Sequence, residues 1–264
     1  MDLFLAYLLI GSVVGVLAGL FGVGGGLVIV PALVFLFTRI GFAPDVLVHL
    51  AIGSSLATII FTSFSSIYAH HTRGAVLWAV CWQLTPGIIL GAVLGAMVAD
   101  LMPGLMLRRL FAVFEWLVAA QLLFGIKPAA ARTLPGRVGM SLAGSAIGGI
   151  SSIIGIGGGT VTVPFLLWCN VAMQRAVGTS SACGLAIALA GSASFVIAGW
   201  NGDTDLPANA TGYVFWPAVL GIAISSMLFA PVGAALAHRW PAERLRRGFG
   251  FFLIVLGAYM FLMG

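Results

Sequence analysis

Two short stretches carry residue types whose spacing could do chemistry. Gly22–Pro31 reads GVGGGLVIVP and Gly155–Pro164 reads GIGGGTVTVP, with seven of ten positions identical at a spacing of 133. Runs of glycine are poor helix material. The β-branched residues that follow prefer extended backbone, and proline suits the first position of a helix. The expected structure is an extended glycine stretch leading into a half-helix that begins near Pro31 or Pro164. Backbone N–H groups freed there, together with the positive end of the helix dipole, attract an anion. Gly24, Gly25, Gly26, Gly157, Gly158 and Gly159 are therefore candidate substrate-binding residues. Gly11, Gly15 and Gly19, spaced four apart, read instead as close helix packing. A nucleotide site is excluded, because neither copy completes G-x-G-x-x-G and no Lys-Ser/Thr follows.

A second pair of stretches supplies hydroxyls. AIGSS (Ala51–Ser55) returns as AVGTS (Ala176–Ser180) at a spacing of 125. Ser54, Ser55, Thr179 and Ser180 are neutral donors able to complete an oxyanion's shell, or small polar residues that pack helices. Ionisable residues within apolar segments are scarce and functional by default. Glu115, whose counterpart in the second half is Leu253, is a candidate for proton coupling, or else reaches toward the interface or Arg108. Arg175 stands where the first half has Leu50; it is a candidate for guiding an anion, or a positive-inside anchor. His49, His70, His71 and Arg73 lie near span ends, where interfacial anchoring is the default reading.

The elements that position these residues must lie in lipid. Of 264 residues, 61% are hydrophobic and 7% charged, with a mean hydropathy of +1.15. Soluble domains carry about 25% charged residues. The apolar runs are continuous rather than alternating, which excludes a membrane β-barrel. The fold class is an all-α polytopic membrane protein. Met1-Asp2-Leu3 lacks a basic n-region, so the first apolar segment is expected to remain in the mature protein. Cys81, Cys169 and Cys183 are scattered through apolar segments and read as buried packing residues, not as a metal site or a disulfide framework. No cofactor is implied. The net charge of +5 sets orientation and contact with the lipid bilayer, and gives no hint of nucleic acid.

The chain is written twice. A third block, GAMVADLMPGLMLRRLF (Gly95–Phe111), returns as GAALAHRWPAERLRRGF (Gly233–Phe249) at a spacing of 138. Three blocks in one order define an N-terminal transmembrane repeat, 1–126, a basic linker, 127–137, and a C-terminal repeat, 138–264. Each repeat reads as a glycine-broken helical hairpin (Leu3–Phe21 then Pro31–Thr38; Val138–Ile154 then Pro164–Trp168) followed by three spans. Those spans are about 48–69, 75–99 and 108–125, then 174–198, 212–237 and 247–263.

Positive charge orients the spans. If each broken element is a hairpin, each repeat crosses three times and the repeats are inverted. Arg73, Lys127, Arg132, Arg137, Arg175, Arg239, Arg244, Arg246 and Arg247 then face the cytoplasm, and Arg39, Arg108 and Arg109 face out, nine against three. A broken element that crosses once gives parallel repeats and eight against four, so inversion is preferred.

GLFGVGGGLVIVP, its second copy GGISSIIGIGGGTVTVP, the QRAVGTSSA block and HHTRGAVLW together resemble the sulfite exporter TauE/SafE (TSUP) family of permeases, over essentially the whole chain. The resemblance implies transport of small sulfur-containing or organic anions, such as sulfite and sulfonates, in a bacterial or archaeal inner membrane. The expected protein is a secondary transporter, not an enzyme, that works by alternating access with its anion at the paired glycine-rich half-helix N-termini. The alternatives are a passive anion channel, or a permease for carboxylates. An intramembrane hydrolase is disfavoured: the Asp residues lie in loops or at span ends, and no zinc motif occurs. A homo-oligomer is compatible with the sequence.

Overall fold

The computed structural model describes residues 2–21, 25–125, 132–200, 206–237 and 242–262. Gly24, Lys127, Arg239 and the acidic loop Asp203–Asp205 lie outside these residues. In lipid every backbone polar group must be satisfied within its own segment, so long apolar runs become helices. The first repeat forms α1 (Asp2–Phe21), α2 (Gly26–Ile40), α3 (Pro44–His71), α4 (Trp78–Asp100) and α5 (Gly104–Phe124). The second forms α6 (Arg137–Ile154), α7 (Gly159–Trp168), α8 (Met173–Trp200), α9 (Trp216–Ala237) and α10 (Ala242–Leu262). Seven of these, α1, α3, α4, α6, α8, α9 and α10, are long and apolar enough to cross a bilayer. α5 matches them at 21 residues but carries Arg108, Arg109 and Glu115. α2 and α7, with 15 and 10 residues, rise roughly 22 and 15 Å, short of the ~30 Å of bilayer hydrocarbon.

The repeats interlock instead of sitting side by side. α1 packs mainly on α9, and its counterpart α6 packs mainly on α4, so each repeat's first helix lies against the other repeat's fourth helix. α3 pairs with α8 and α5 with α10 across the same pseudo-two-fold relation. Glycine makes the first seam possible. A Cβ added at Gly15 would stand 2.5 Å from the Ser226 carbonyl oxygen, and one at Gly11 would strike Ser225 and Ile222 of α9. The packing role read for Gly11 and Gly15 is what the structure shows.

Three expectations fail. The half-helices do not begin near Pro31 and Pro164. They begin at Gly26 and Gly159, and both prolines lie inside the helix. An extended LVIVP or TVTVP segment would leave several N–H groups unpaired in an apolar interior, at a cost of roughly 1–3 kcal/mol for each. Helix satisfies them: the amides of Val28 and Ile29 donate to the Gly25 carbonyl (2.9 and 3.0 Å), and those of Val161 and Thr162 to the Gly158 carbonyl (3.1 and 2.7 Å). That gain outweighs the preference of β-branched residues and the one ladder bond each proline removes.

The span placed at 212–237 starts instead at Trp216, after a small antiparallel hairpin of β1 (Ala210–Thr211) and β2 (Val214–Phe215). Gly212, at φ 53°, turns the hairpin, as Gly74 at φ 65° turns the equivalent loop of the first repeat. His49 is likewise no interfacial anchor. Its ring is buried, with Nδ1 3.2 Å from the Asp45 carbonyl and Nε2 3.0 Å from the Ala99 carbonyl, tying α3 to the end of α4.

Candidate functional site

Each candidate site begins where a long helix stops and a short one starts. In the second repeat α6 ends at Ile154, and Gly155 caps it in the left-handed region at φ 79°, its amide donating to the Ser151 carbonyl at 2.9 Å. The chain runs through Ile156 and Gly157 to Gly158, left-handed again at φ 74°, which is the N-cap of α7. In the first repeat Gly25 holds the matching place before α2, at φ 77°. A residue with a Cβ is strained in that region and a β-branched one severely so. Because both N-caps are glycine, no side chain caps either helix. The first amides of α2 (Gly26, Leu27) and of α7 (Gly159, Thr160) belong to the turn that has no intrahelical acceptor.

The two breaks meet. A Cβ added at Gly26 would stand 2.9 Å from both the Gly155 carbonyl oxygen and the Ile156 Cα. That same carbonyl accepts a 2.8 Å hydrogen bond from Ser55 Oγ of α3. Ile59 of α3 and Ile187 of α8 cover Gly157 and Gly158, and Gly184 of α8 lies against the Gly157 carbonyl. The breaks are thus held at the interior junction of both repeats, between α3 and α8.

The second pair of stretches divides by function. Ser54 Oγ accepts the Phe215 amide at 2.9 Å, and Thr179 Oγ1 accepts the Leu77 amide at 3.0 Å. Phe215 and Leu77 are equivalent positions, 138 apart, each just before the fourth helix of its repeat. Each hydroxyl therefore satisfies the entry to the opposite repeat's helix, and keeps its own proton to donate. Ser55 and Ser180 instead spend their protons, on the Gly155 and Val177 carbonyls, both at 2.8 Å.

Glu115 is completely buried on the inward stripe of α5, and neither carboxylate oxygen has a hydrogen-bond partner. It makes no ion pair with Arg108, which is itself buried and lies over the Tyr259 ring, 5.8 Å from its centroid. A charge on Glu115 would be unpaired in an apolar interior. Arg175 is exposed in the first turn of α8, away from the buried breaks. The three cysteines are free and buried, with Cys81 Sγ 4.0 Å from Cys183 Sγ across α4 and α8.

Four hydroxyls absent from the sequence-based candidates stand at the second break. Ser151, Ser152 and Thr162 are fully buried, and neither their oxygens nor the buried Thr160 Oγ1 have a partner. The signal was present in the chain. At the same places the first copy has Ala18, Gly19, Ile29 and Leu27, so comparing the two copies for differences as well as identities would have found them.

A profile of the family described as sulfite exporter TauE/SafE matches residues 7–260. A probable membrane transporter protein of Haemophilus influenzae is 36% identical over 260 residues, covering 97% of each chain. One of Methanocaldococcus jannaschii is 29% identical over 262 residues, covering 97% of this chain and 94% of its own. A third, YdhB of Bacillus subtilis, is 24% identical over 252 residues. No solved structure matches the chain.

Proposed function

The chain belongs to the sulfite exporter TauE/SafE family of multi-pass membrane transporters, and from that premise we propose that it carries small oxyanions, sulfite or sulfonates among them, by alternating access around the two breaks. One observation carries this reading: two short helices are headed by left-handed glycines, and the first residue of α2 lies against Gly155 and Ile156, in the stretch that leads into α7. Broken helices of this kind aim free amides and a partial positive charge at an anionic group in repeat-built transporters. Neutral donors suit a carrier, because they hold an anion weakly enough to release it. In this reading Ser54 and Thr179, each left with a proton to donate, add to the anion's shell, and the exposed Arg175 draws anions in. Glu115 takes up and gives back the coupling proton, and the repeats are inverted in an inner membrane.

Uptake by the purified protein in proteoliposomes tests the reading with sulfite, thiosulfate, sulfate, sulfoacetate, taurine and simple carboxylates. Saturable flux that shows counterflow is expected for one or more sulfur oxyanions. Flux of carboxylates alone makes the protein an organic-acid permease, and flux without saturation or counterflow makes it a channel. Labelling a cysteine placed at Ala130 in the linker from the periplasmic side would sink the inverted topology.

A further inference from the structure

The two short helices start alike, each at a left-handed glycine, but the side chains around the two starts differ. Around Gly25 the nearest side chains are Val14, Ala18 and Ile29, all aliphatic. Among the described residues, the shallow cleft beside it is lined by Leu17, Ala18, Gly25, Leu27, Val28 and Phe249, without a polar side chain. The second break replaces Ala18, Gly19, Leu27 and Ile29 with Ser151, Ser152, Thr160 and Thr162. Thr162 Oγ1 lies 3.2 Å from where a Cβ on Gly158 would be, and Ser152 Oγ 3.0 Å from the same point on Gly191 of α8. Thr162 thus lies against the start of α7, and Ser152 against the α8 wall.

Their lack of partners is unusual within this molecule. A hydroxyl in a helix ordinarily folds back on the carbonyl four residues earlier. Ser12, Thr58, Ser145 and Ser194 all do so here, at 2.8, 2.8, 3.1 and 2.8 Å. Ser151, Ser152 and Thr162 do not, and each buried hydroxyl left unmatched costs roughly 1–3 kcal/mol. An acceptor from outside the chain would compensate a set of unmatched donors beside an uncapped helix N-terminus.

No Lys or Arg occurs between Val138 and Gln174, nor between Val46 and Ala69 of α3, nor between Ala176 and Trp200 of α8. The site therefore offers hydroxyls, amides and about half an elementary charge from the helix dipole. The desolvation cost of an ion rises with the square of its charge, and without a cation the interior cannot offset a second one. We infer that the second break alone is the anion site, and that it takes an oxyanion head group of single charge (sulfonate, hydrogensulfite or carboxylate) and rejects a head group of double charge such as sulfate. The inference rests on the transport reading above and narrows it to Ser151, Ser152, Thr160 and Thr162.

The test uses the full chain in proteoliposomes with methanesulfonate, acetate and sulfate as probes. Wild-type protein is expected to show saturable uptake of methanesulfonate or acetate, undiminished by a tenfold excess of sulfate. Thr162→Val, and Ser151→Ala with Ser152→Ala, are expected to raise the half-saturating concentration at least tenfold. Their melting temperatures are expected to stay level or rise, because an unmatched hydroxyl is removed. Thr162→Ser, which keeps the donor, is expected to stay within twofold of wild type. Wild-type kinetics in Thr162→Val and in the double variant, or sulfate moving as well as methanesulfonate, would overturn the inference and leave the transport reading standing. A wild-type protein that moves none of the three probes removes both.

Discussion

The first and second breaks differ in side chains while agreeing in backbone, and the agreement locates what the fold requires. Gly25 and Gly158 are both left-handed, both serve as N-cap, and both start a short helix whose sixth residue is proline. Nothing comparable holds for the residues around them, aliphatic in one copy and hydroxylic in the other. Duplication preserved the geometry that brings two short helices to the centre, and left the chemistry free to diverge. A shared demand on backbone should produce equal mutational effects, and a divergent chemistry unequal ones.

The largest effect is expected where both breaks are alike. Gly158→Val places a β-branched residue at φ 74° against Ile187, and Gly25→Val does the same at φ 77° with a new Cβ 2.9 Å from Val14 Cγ1. Both variants should insert into the membrane yet lose flux by about 100-fold or more, since even ~3 kcal/mol of misplacement is worth that much in rate. Uptake normalised to protein recovered from membranes measures it. Wild-type flux in either variant refutes the shared backbone requirement.

A smaller loss is expected at the position where the repeats differ in charge. Glu115 has Leu253 as its counterpart, and both are completely buried. Glu115→Gln keeps the volume and removes the titratable group. Flux should fall about tenfold, less than the ~10²–10⁴-fold that proton transfer contributes to a catalysed reaction, and its dependence on pH should flatten. An unchanged pH profile removes Glu115 from coupling.

Ser54 and Thr179 offer a symmetric control on stability. Alanine at either leaves an amide, the buried one of Phe215 or the half-buried one of Leu77, without its acceptor. Each should cost about 1–3 kcal/mol, seen as a melting temperature lower by several degrees and similar in the two variants. A drop in only one of them shows that the pseudo-two-fold capping is not energetically real.

The ten helical segments and the existence of both breaks were legible in the sequence, because apolar runs of membrane length and a glycine run inside them are strong signals. The sequence misplaced the start of α2 and α7. The local preferences of Val28, Ile29, Val161 and Thr162 pointed to extended backbone, and only the demand for hydrogen bonds in an apolar interior makes them helical. The hairpin at Ala210–Phe215 was unreadable because its buried place depends on Gly53, Gly199 and Val196 in two distant helices. The partners of Ser54 and Thr179 lie 161 and 102 residues away, in the opposite repeat, where no local pattern leads.

The smallest effect expected is the one that isolates side-chain chemistry. Ile29 is the first-repeat counterpart of Thr162, is completely buried, and reaches within 3.5 Å of where a Gly25 Cβ would stand. Ile29→Val removes one methylene at a cost of about 0.5–1.5 kcal/mol. It changes the first break by the same kind of atom-scale edit that Thr162→Val makes at the second. If the aliphatic break only supports the fold, half-saturation for methanesulfonate or acetate should stay within about twofold of wild type while the melting temperature falls slightly. A tenfold rise with unchanged stability means that the first break touches the anion too, and the two copies then share one site between them.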